Sequence, residues 1–175
     1  SQLFTITADD QQTANNTATQ TFTLTVNAVN DMPLFSLSGD VAVEEDFNDT
    51  QQVTVTPAAV PSDESGQTVT YSLSPTTVDF ATVAIDSSTG QVSISAVSDG
   101  SGSQLFTLTA DDQQAANNTV AQTFTLTVNP ANDAPVASDQ SVETPEDTPI
   151  TITLTATDVD NDDGSLTYSI VSPPE

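Results

Sequence analysis

The sequence predicts an all-β protein made of tandem seven-stranded Greek-key β-sandwich repeats, and three observations predict it. Residues 1–33 return as residues 103–135 with 26 of 33 positions identical, a period of 102 residues. That period is far too long for a solenoid turn and fits one small sandwich per repeat. Short runs alternating Val, Ile, Leu or Phe with Thr or Ser recur along the whole chain, separated by Gly, Asp, Asn and Ser turn residues, as strands with one buried face require. No segment carries a convincing helical period.

Within the whole repeat the alternation places strands at roughly Val41–Glu44, Gln51–Pro57, Gln67–Leu73, Ala81–Ile85, Gln91–Val97, Leu105–Ala110 and Thr123–Asn129. Phe106, Leu108 and Ala110 alternate with Thr107 and Thr109, and Phe124, Leu126 and Val128 with Thr123, Thr125 and Thr127. The apolar set is expected to face the core and the threonines water. Asp86-Ser87-Ser88-Thr89-Gly90 supplies a turn, with Gly90 free to take a positive φ.

After each copy of the long repeat the match is looser: Glu45-Asp46 corresponds to Glu146-Asp147, and Thr70-Tyr71-Ser72 to Thr167-Tyr168-Ser169. The expected organisation is the C-terminal strands of a first repeat plus linker in residues 1–33, a complete repeat plus linker in 34–135, and the N-terminal strands of a third repeat in 136–175. A unit of about 100 residues buries enough apolar surface to fold alone. The flanking pieces, two strands in 1–29 and about three in 136–175, leave sheet edges that a complete sandwich would cover. An excerpt from an array that continues in both directions is expected. The other reading is that neighbouring chains complete one another in a filament.

Composition restricts the chemistry. The chain has 25 Asp and Glu and no Lys, Arg or His, a formal charge of −25. Salt screens exposed carboxylates over roughly 8–10 Å, but clustered ones need bound cations to sit together. Nucleic acid is excluded as a partner, because the cations that neutralise phosphate are missing. Without His, Cys, Lys or Arg, nucleophile–base pairs, thiol chemistry, Schiff bases and phosphate clamps are unavailable, so no enzyme activity is expected. Paired carboxylates suffice for glycoside hydrolysis, yet no Trp and only two Tyr and seven Phe are present, a poor stock for stacking sugars. No apolar run reaches the ~18–20 residues of a membrane span and no basic-then-apolar leader is present, so any export signal or anchor is expected outside these residues.

The motifs resemble the cadherin-like repeat, especially its bacterial versions in large surface adhesins. Ile85-Asp86-Ser87-Ser88-Thr89-Gly90-Gln91-Val92 looks like the family's I-D-x-x-T-G-x-I hairpin, and Ala110-Asp111-Asp112 like its A-x-D. Asn30-Asp31-Met32-Pro33 and Asn132-Asp133-Ala134-Pro135 look like its N-D-N-P linker, Asp158-Val159-Asp160 like D-x-D, and Pro145-Glu146-Asp147 like P-E-N. The chain departs from the pattern at Ala28 and Pro130, which stand for the leading linker Asp, at Met32 and Ala134, which stand for the final linker Asn, and at Ser98-Asp99-Gly100, which keeps one acid of the D-R-E motif. Bacterial immunoglobulin-like repeats, which share the sandwich and often end in similar N-D-x-P linkers, are the alternative family.

The resemblance implies Ca2+ at the junctions between repeats. It gathers Glu45, Asp99, Asn132, Asp133, Asp158 and Asp160 at the second junction, and adds Asn30, Asp31, Asp112 and Glu146 as ligands of equivalent sites. Calcium takes six to eight oxygens, which such residues can supply; the plain alternative is that they are solvated turn formers. Pro57–Pro61 stands in the middle repeat where the third has Thr157–Asn161, so the first junction is expected to lack the D-x-D pair, with Asp63 and Glu64 nearby, and to bind calcium less tightly than the second. Asp158–Asp163 also looks like the opening of an EF-hand loop, but Gly164 falls one place late and no acid closes the loop. Thr-x-Thr rows are read as exposed strand faces and not as an ice-binding surface. Asn15-Asn16-Thr17, Asn48-Asp49-Thr50 and Asn117-Asn118-Thr119 fit the N-glycosylation pattern, which is frequent by chance.

The function this implies is a calcium-stiffened extender of a bacterial extracellular adhesin or surface filament. Its expected partners are neighbouring repeats of the same chain, other copies in a filament, or a cell-surface protein or glycan. The alternatives are an immunoglobulin-like structural repeat without calcium, or a carbohydrate-binding module of a secreted enzyme.

Overall fold

The computed structural model describes residues 1–172; the last residues of the expected third-repeat segment, 173–175, lie outside them. The chain opens with an antiparallel hairpin, β1 (Gln2–Asp9) and β2 (Thr17–Leu24), paired from Gln2↔Leu24 to Asp9↔Thr17. The middle repeat follows with β3 (Phe35–Leu37), β4 (Val41–Glu44), β5 (Gln51–Val53), β6 (Val55–Pro57), β7 (Thr70–Ser74), β8 (Ala81–Ile85), β9 (Val92–Ala96), β10 (Gly102–Asp111) and β11 (Thr119–Asn129). One sheet runs β4-β11-β10-β7 and the other β5-β9-β8, with β3-β6 paired beside it.

These segments are the seven strands of an immunoglobulin-like Greek key. The first strand changes sheets: β3 lies antiparallel to β6, and β4 lies parallel to β11. The change falls at Gly39, whose φ of 118° suits glycine, and Asp40 Oδ1 fixes it by accepting the Thr125 N–H at 2.7 Å. The second strand, β5 with β6, is interrupted at Thr54, whose N–H donates to Ser38 Oγ at 3.1 Å.

Alternation builds the core as expected. Phe106, Leu108 and Ala110 of β10 and Phe124, Leu126 and Val128 of β11 are buried, while the threonines between them are partly exposed or exposed. Opposite them sit Val53, Val92 and Ile94, each fully buried. At about 1.5–3 kcal/mol for each large apolar side chain fully buried, this face is the main stabilising contribution. The Phe106 and Phe124 rings stack across the hairpin at 5.2 Å.

Three strand expectations change. Phe35–Leu37 is a strand too short for its alternation to be visible in sequence. The strand expected from Gln67 begins at Thr70, because Gln67 N–H closes a turn onto the Glu64 carbonyl and its side chain reaches the preceding linker. In the third repeat only β12 (Val136–Ala137), β13 (Ala156–Thr157) and a 3-10 turn (Asp163–Ser165) form among the described residues. The alternating run Thr151–Thr155 takes no strand conformation among the described residues. The pair that does form repeats the middle domain: Ser138 N–H donates to the Thr155 carbonyl at 2.9 Å as Ser38 N–H does to Thr54 at 3.0 Å.

Candidate metal centre

The second junction is assembled from several chain segments, and local backbone chemistry aims each of them. Glu45 and Asp46 follow β4, Asp99 closes the turn after β9, and Asp133 and Asp160 come from the linker and the third repeat. Asp46 and Asp99 take left-handed φ values of 55° and 56°, a conformation Asp tolerates better than most residues. Asp99 N–H donates to Asp46 Oδ1 at 3.1 Å, which ties the two turns together. Glu45 is buried, and its Oε1 accepts the Ala131 N–H at 2.7 Å. Asp133 N–H donates to Asp160 Oδ2 at 2.6 Å.

One carboxylate oxygen from each of Glu45, Asp133 and Asp160 lies within 4.8 Å of the others, and the same holds for Asp46, Asp99 and Asp133. Two oxygens bound to one calcium at 2.3–2.6 Å are at most about 4.6–5.2 Å apart, so both trios suit a shared ion. Asp133 belongs to both. Its carboxyl pKa is pushed up from the ordinary value, first by desolvation and then by the negative charges of Asp46, Asp160, Asp99 and Glu45. With no Lys, Arg or His in the chain, relief of that repulsion must come from protons, salt or a bound cation.

The first junction is held differently. Asn30 Nδ2 donates to Asp112 Oδ2 at 2.9 Å and to the Ala116 and Asn117 carbonyls at 3.0 Å each. Asn30 Oδ1 accepts from Gln67 Nε2 at 2.7 Å, and the Asn117 side chain donates back to the Asn30 carbonyl at 3.1 Å. Asp31 N–H donates to Glu64 Oε1 at 2.5 Å. Asp112 and Glu64 are thus buried acids whose charge is partly offset by linker donors. A cavity of about 130 Å3 opens beside them, between Met32–Leu34 and Ala58–Pro61, floored by Val69 and Tyr71.

Of the expected ligands, the fold brings Glu45, Asp99, Asp133 and Asp160 into the trios. Asn30, Asp31 and Asp112 meet at the first junction through hydrogen bonds. Asn132 stays exposed beside the second junction, with Nδ2 on the Asp133 carbonyl at 2.7 Å. Asp158 caps its own turn, where Oδ1 accepts from Asn161 and the Asp160 amide; the Asn161 side-chain bond is the main reason its pKa is lowered. Glu146 is exposed at the turn of the third repeat that matches Glu45, where Asp147 takes a φ of 59°. Sequence reasoning does not single out Asp46 and Glu64 as primary ligands. Asp46 adjoins Glu45 in sequence, and its repetition as Asp147 is the available signal.

Residues 132–175, about a quarter of the chain, match the family model described as a bacterial Ig domain. Among solved structures, the protocadherin gamma B7 extracellular cadherin domains 1–4 match 90% of this chain and 40% of that one, at 19% identity and a TM-score of 0.50. Mouse cadherin-23 EC22-24 matches 90% of this chain and 53% of that one, at 22% identity and a TM-score of 0.49. Human protocadherin-24 EC1-2 matches 74% and 61%, at 21% identity and a TM-score of 0.43. The chain therefore spans between about two fifths and three fifths of the length of these structures. Comparison with curated proteins finds no match. At such identities the likeness to the gamma B7 domains is one of fold. The sandwich topology and the likeness to the gamma B7 domains agree on one class of fold, an all-β immunoglobulin-like sandwich, and residues 132–175 are similar to a bacterial Ig domain.

Proposed function

We propose that the chain is a calcium-stiffened spacer of a secreted or surface-displayed bacterial adhesin or filament, whose repeats meet one another end to end and perform no catalysis. The observation that carries this reading is the pair of carboxylate trios sharing Asp133, in a chain without a single Lys, Arg or His. A cation at Asp133 would lock β4's end, the turn after β9 and the linker into one body, and would thereby fix the angle between consecutive repeats. Cadherin-like and immunoglobulin-like sandwiches serve widely as structural or adhesive modules, which fits a mechanical role.

Calcium titration by calorimetry, with thermal melting and small-angle scattering in calcium and in chelator, tests the proposal. Calcium binding to the native state alone raises the melting temperature by mass action and narrows the distribution of shapes. Unchanged melting and scattering in excess chelator would leave the other reading, a structural immunoglobulin-like repeat without metal, which the Ig-domain match over residues 132–175 favours.

A further inference from the structure

The turn that carries Asp99 into the second junction also sets a glycine directly after it, and packing demands that glycine. A Cβ on Gly100 would lie 2.8 Å from the Phe80 carbonyl oxygen and 2.9 Å from that of Val97, so no other residue fits without moving the backbone. Asp99 has a left-handed φ of 56°. Asp46 shares that conformation, with a φ of 55°, but the residue after it is Phe47, which packs against the core. The two acids therefore differ in a way that matters for covalent chemistry: the peptide nitrogen after Asp99 has no side chain to shield it.

Two hydrogen bonds hold the pair in place. Gly100 N–H donates to the Val97 carbonyl at 3.0 Å, and Asp99 N–H donates to Asp46 Oδ1 at 3.1 Å. The second bond belongs to the trio of Asp46, Asp99 and Asp133, in which one carboxylate oxygen from each lies within 4.8 Å of the others. The chain has no Lys, Arg or His to offset them. Without a bound cation the three carboxylates repel one another, and the repulsion acts on the bond that restrains Asp99. An open cleft lined by Asp79, Phe80, Asp99, Gly100 and Ser101 brings water to the same peptide bond.

We propose that Asp99-Gly100 is a covalent modification site at which the metal-free junction isomerises. The Gly100 nitrogen bonds to Asp99 Cγ and a Cγ–O bond breaks. The oxygen leaves as water, with the amide hydrogen and one proton from solvent, and a succinimide ring is closed. Water then opens the ring. Attack at the former side-chain carbonyl restores aspartate, and attack at the former main-chain carbonyl yields isoaspartate.

In isoaspartate the main chain runs through Cβ and Cγ, so the turn before β10 gains one backbone atom and the carboxylate sits directly on Cα. That carboxylate is withdrawn from Asp46 and Asp133, and the trio is lost. With a cation shared by the trio, the Asp99 carboxylate is held on the ion and its N–H stays on Asp46, so occupancy protects the pair. The protection rests on the calcium reading of the junction; the reactivity of the pair does not.

Ageing of the full chain in warm neutral buffer, with calcium and separately with chelator, tests the proposal. Peptide mass spectrometry with electron-transfer fragmentation distinguishes isoaspartate from aspartate. Isoaspartate at position 99 is expected to accumulate several-fold faster in chelator than in calcium, and calorimetry of the aged protein should show calcium capacity falling in step. Asp99→Glu keeps a carboxylate but cannot close the same ring, and should leave position 99 unmodified in both buffers. Unmodified Asp99 in chelator would overturn the proposal. Equal rates in the two buffers, while calorimetry registers bound calcium, would overturn the protection. Isoaspartate at position 99 in a protein that binds no calcium would uphold the site and fault the calcium reading alone.

Discussion

Asp133 N–H donates to an Asp160 carboxylate oxygen at 2.6 Å, which fastens the linker to the third repeat through the acid that also stands in a metal-sized trio with Glu45. The Asp160 side chain thus both holds the linker backbone by a hydrogen bond and stands among the junction's carboxylates.

This arrangement sets a pH response. Desolvation and four neighbouring carboxylates raise the pKa of Asp133 in the folded junction, so between the ordinary and the raised value the folded state holds more protons than the unfolded one. Without metal, junction stability should fall as pH rises through that window. In calcium the trend should reverse, because protons compete with the ion at lower pH. Melting curves in chelator and in calcium, at pH steps upward from the ordinary carboxylate range, check both signs.

Asp46→Asn should weaken calcium binding at the second junction by on the order of tenfold, since affinity follows ligand charge. The amide oxygen still accepts the Asp99 N–H, so melting in chelator should change little or rise slightly as repulsion on Asp133 is relieved. Calorimetric titration of variant and parent separates the two effects.

Gly90→Ala should destabilise the middle repeat by about 2 kcal/mol or more, from positive-φ strain and overpacking together. Gly90 has a φ of 75°, and an added Cβ would lie 2.7 Å from Val55 and 2.9 Å from Tyr71. The melting temperature should drop by roughly 8 °C or more for a unit of this size, without loss of calcium sites.

The two junctions should differ. The third repeat contributes Asp160 to a trio, whereas the middle repeat contributes buried Glu64 and Asp112, already engaged by Asp31 and Asn30. Replacing Asp158 and Asp160 with Asn, in proteins with complete repeats on both sides, should cost occupancy and rigidity at the second junction only. Equal occupancy and equal rigidity of both junctions in the unaltered protein would refute the inequality.

The sandwich is legible in the sequence because β10 and β11 are long, alternate strictly and recur as β1 and β2. The short segment Phe35–Leu37 is not, since three residues carry no measurable period and its pairing partner lies about twenty residues away. Family-like motifs single out Glu45, Asp99, Asp133 and Asp160, which the fold places in the two carboxylate trios. Asp46 escapes because its role depends on a left-handed turn that lifts its carboxylate toward Asp99, and Glu64 because a turn ahead of β7 buries it. Asp158, whose motif suggests a ligand, is engaged in its own turn.

The parallel pairing of β4 with β11 has a mechanical consequence. The chain enters the middle repeat just before β3 and β4 and leaves it just after β11, so tension applied through the flanking residues would pull these two strands in opposite directions along their own length. The ladder from Val41↔Leu126 to Glu44↔Asn129 is then loaded in shear. Its hydrogen bonds share the force and must yield together, whereas bonds peeled from a single end would break in succession. The short edge strand at the entrance of the repeat thereby acts as a clasp that holds the sandwich shut under load.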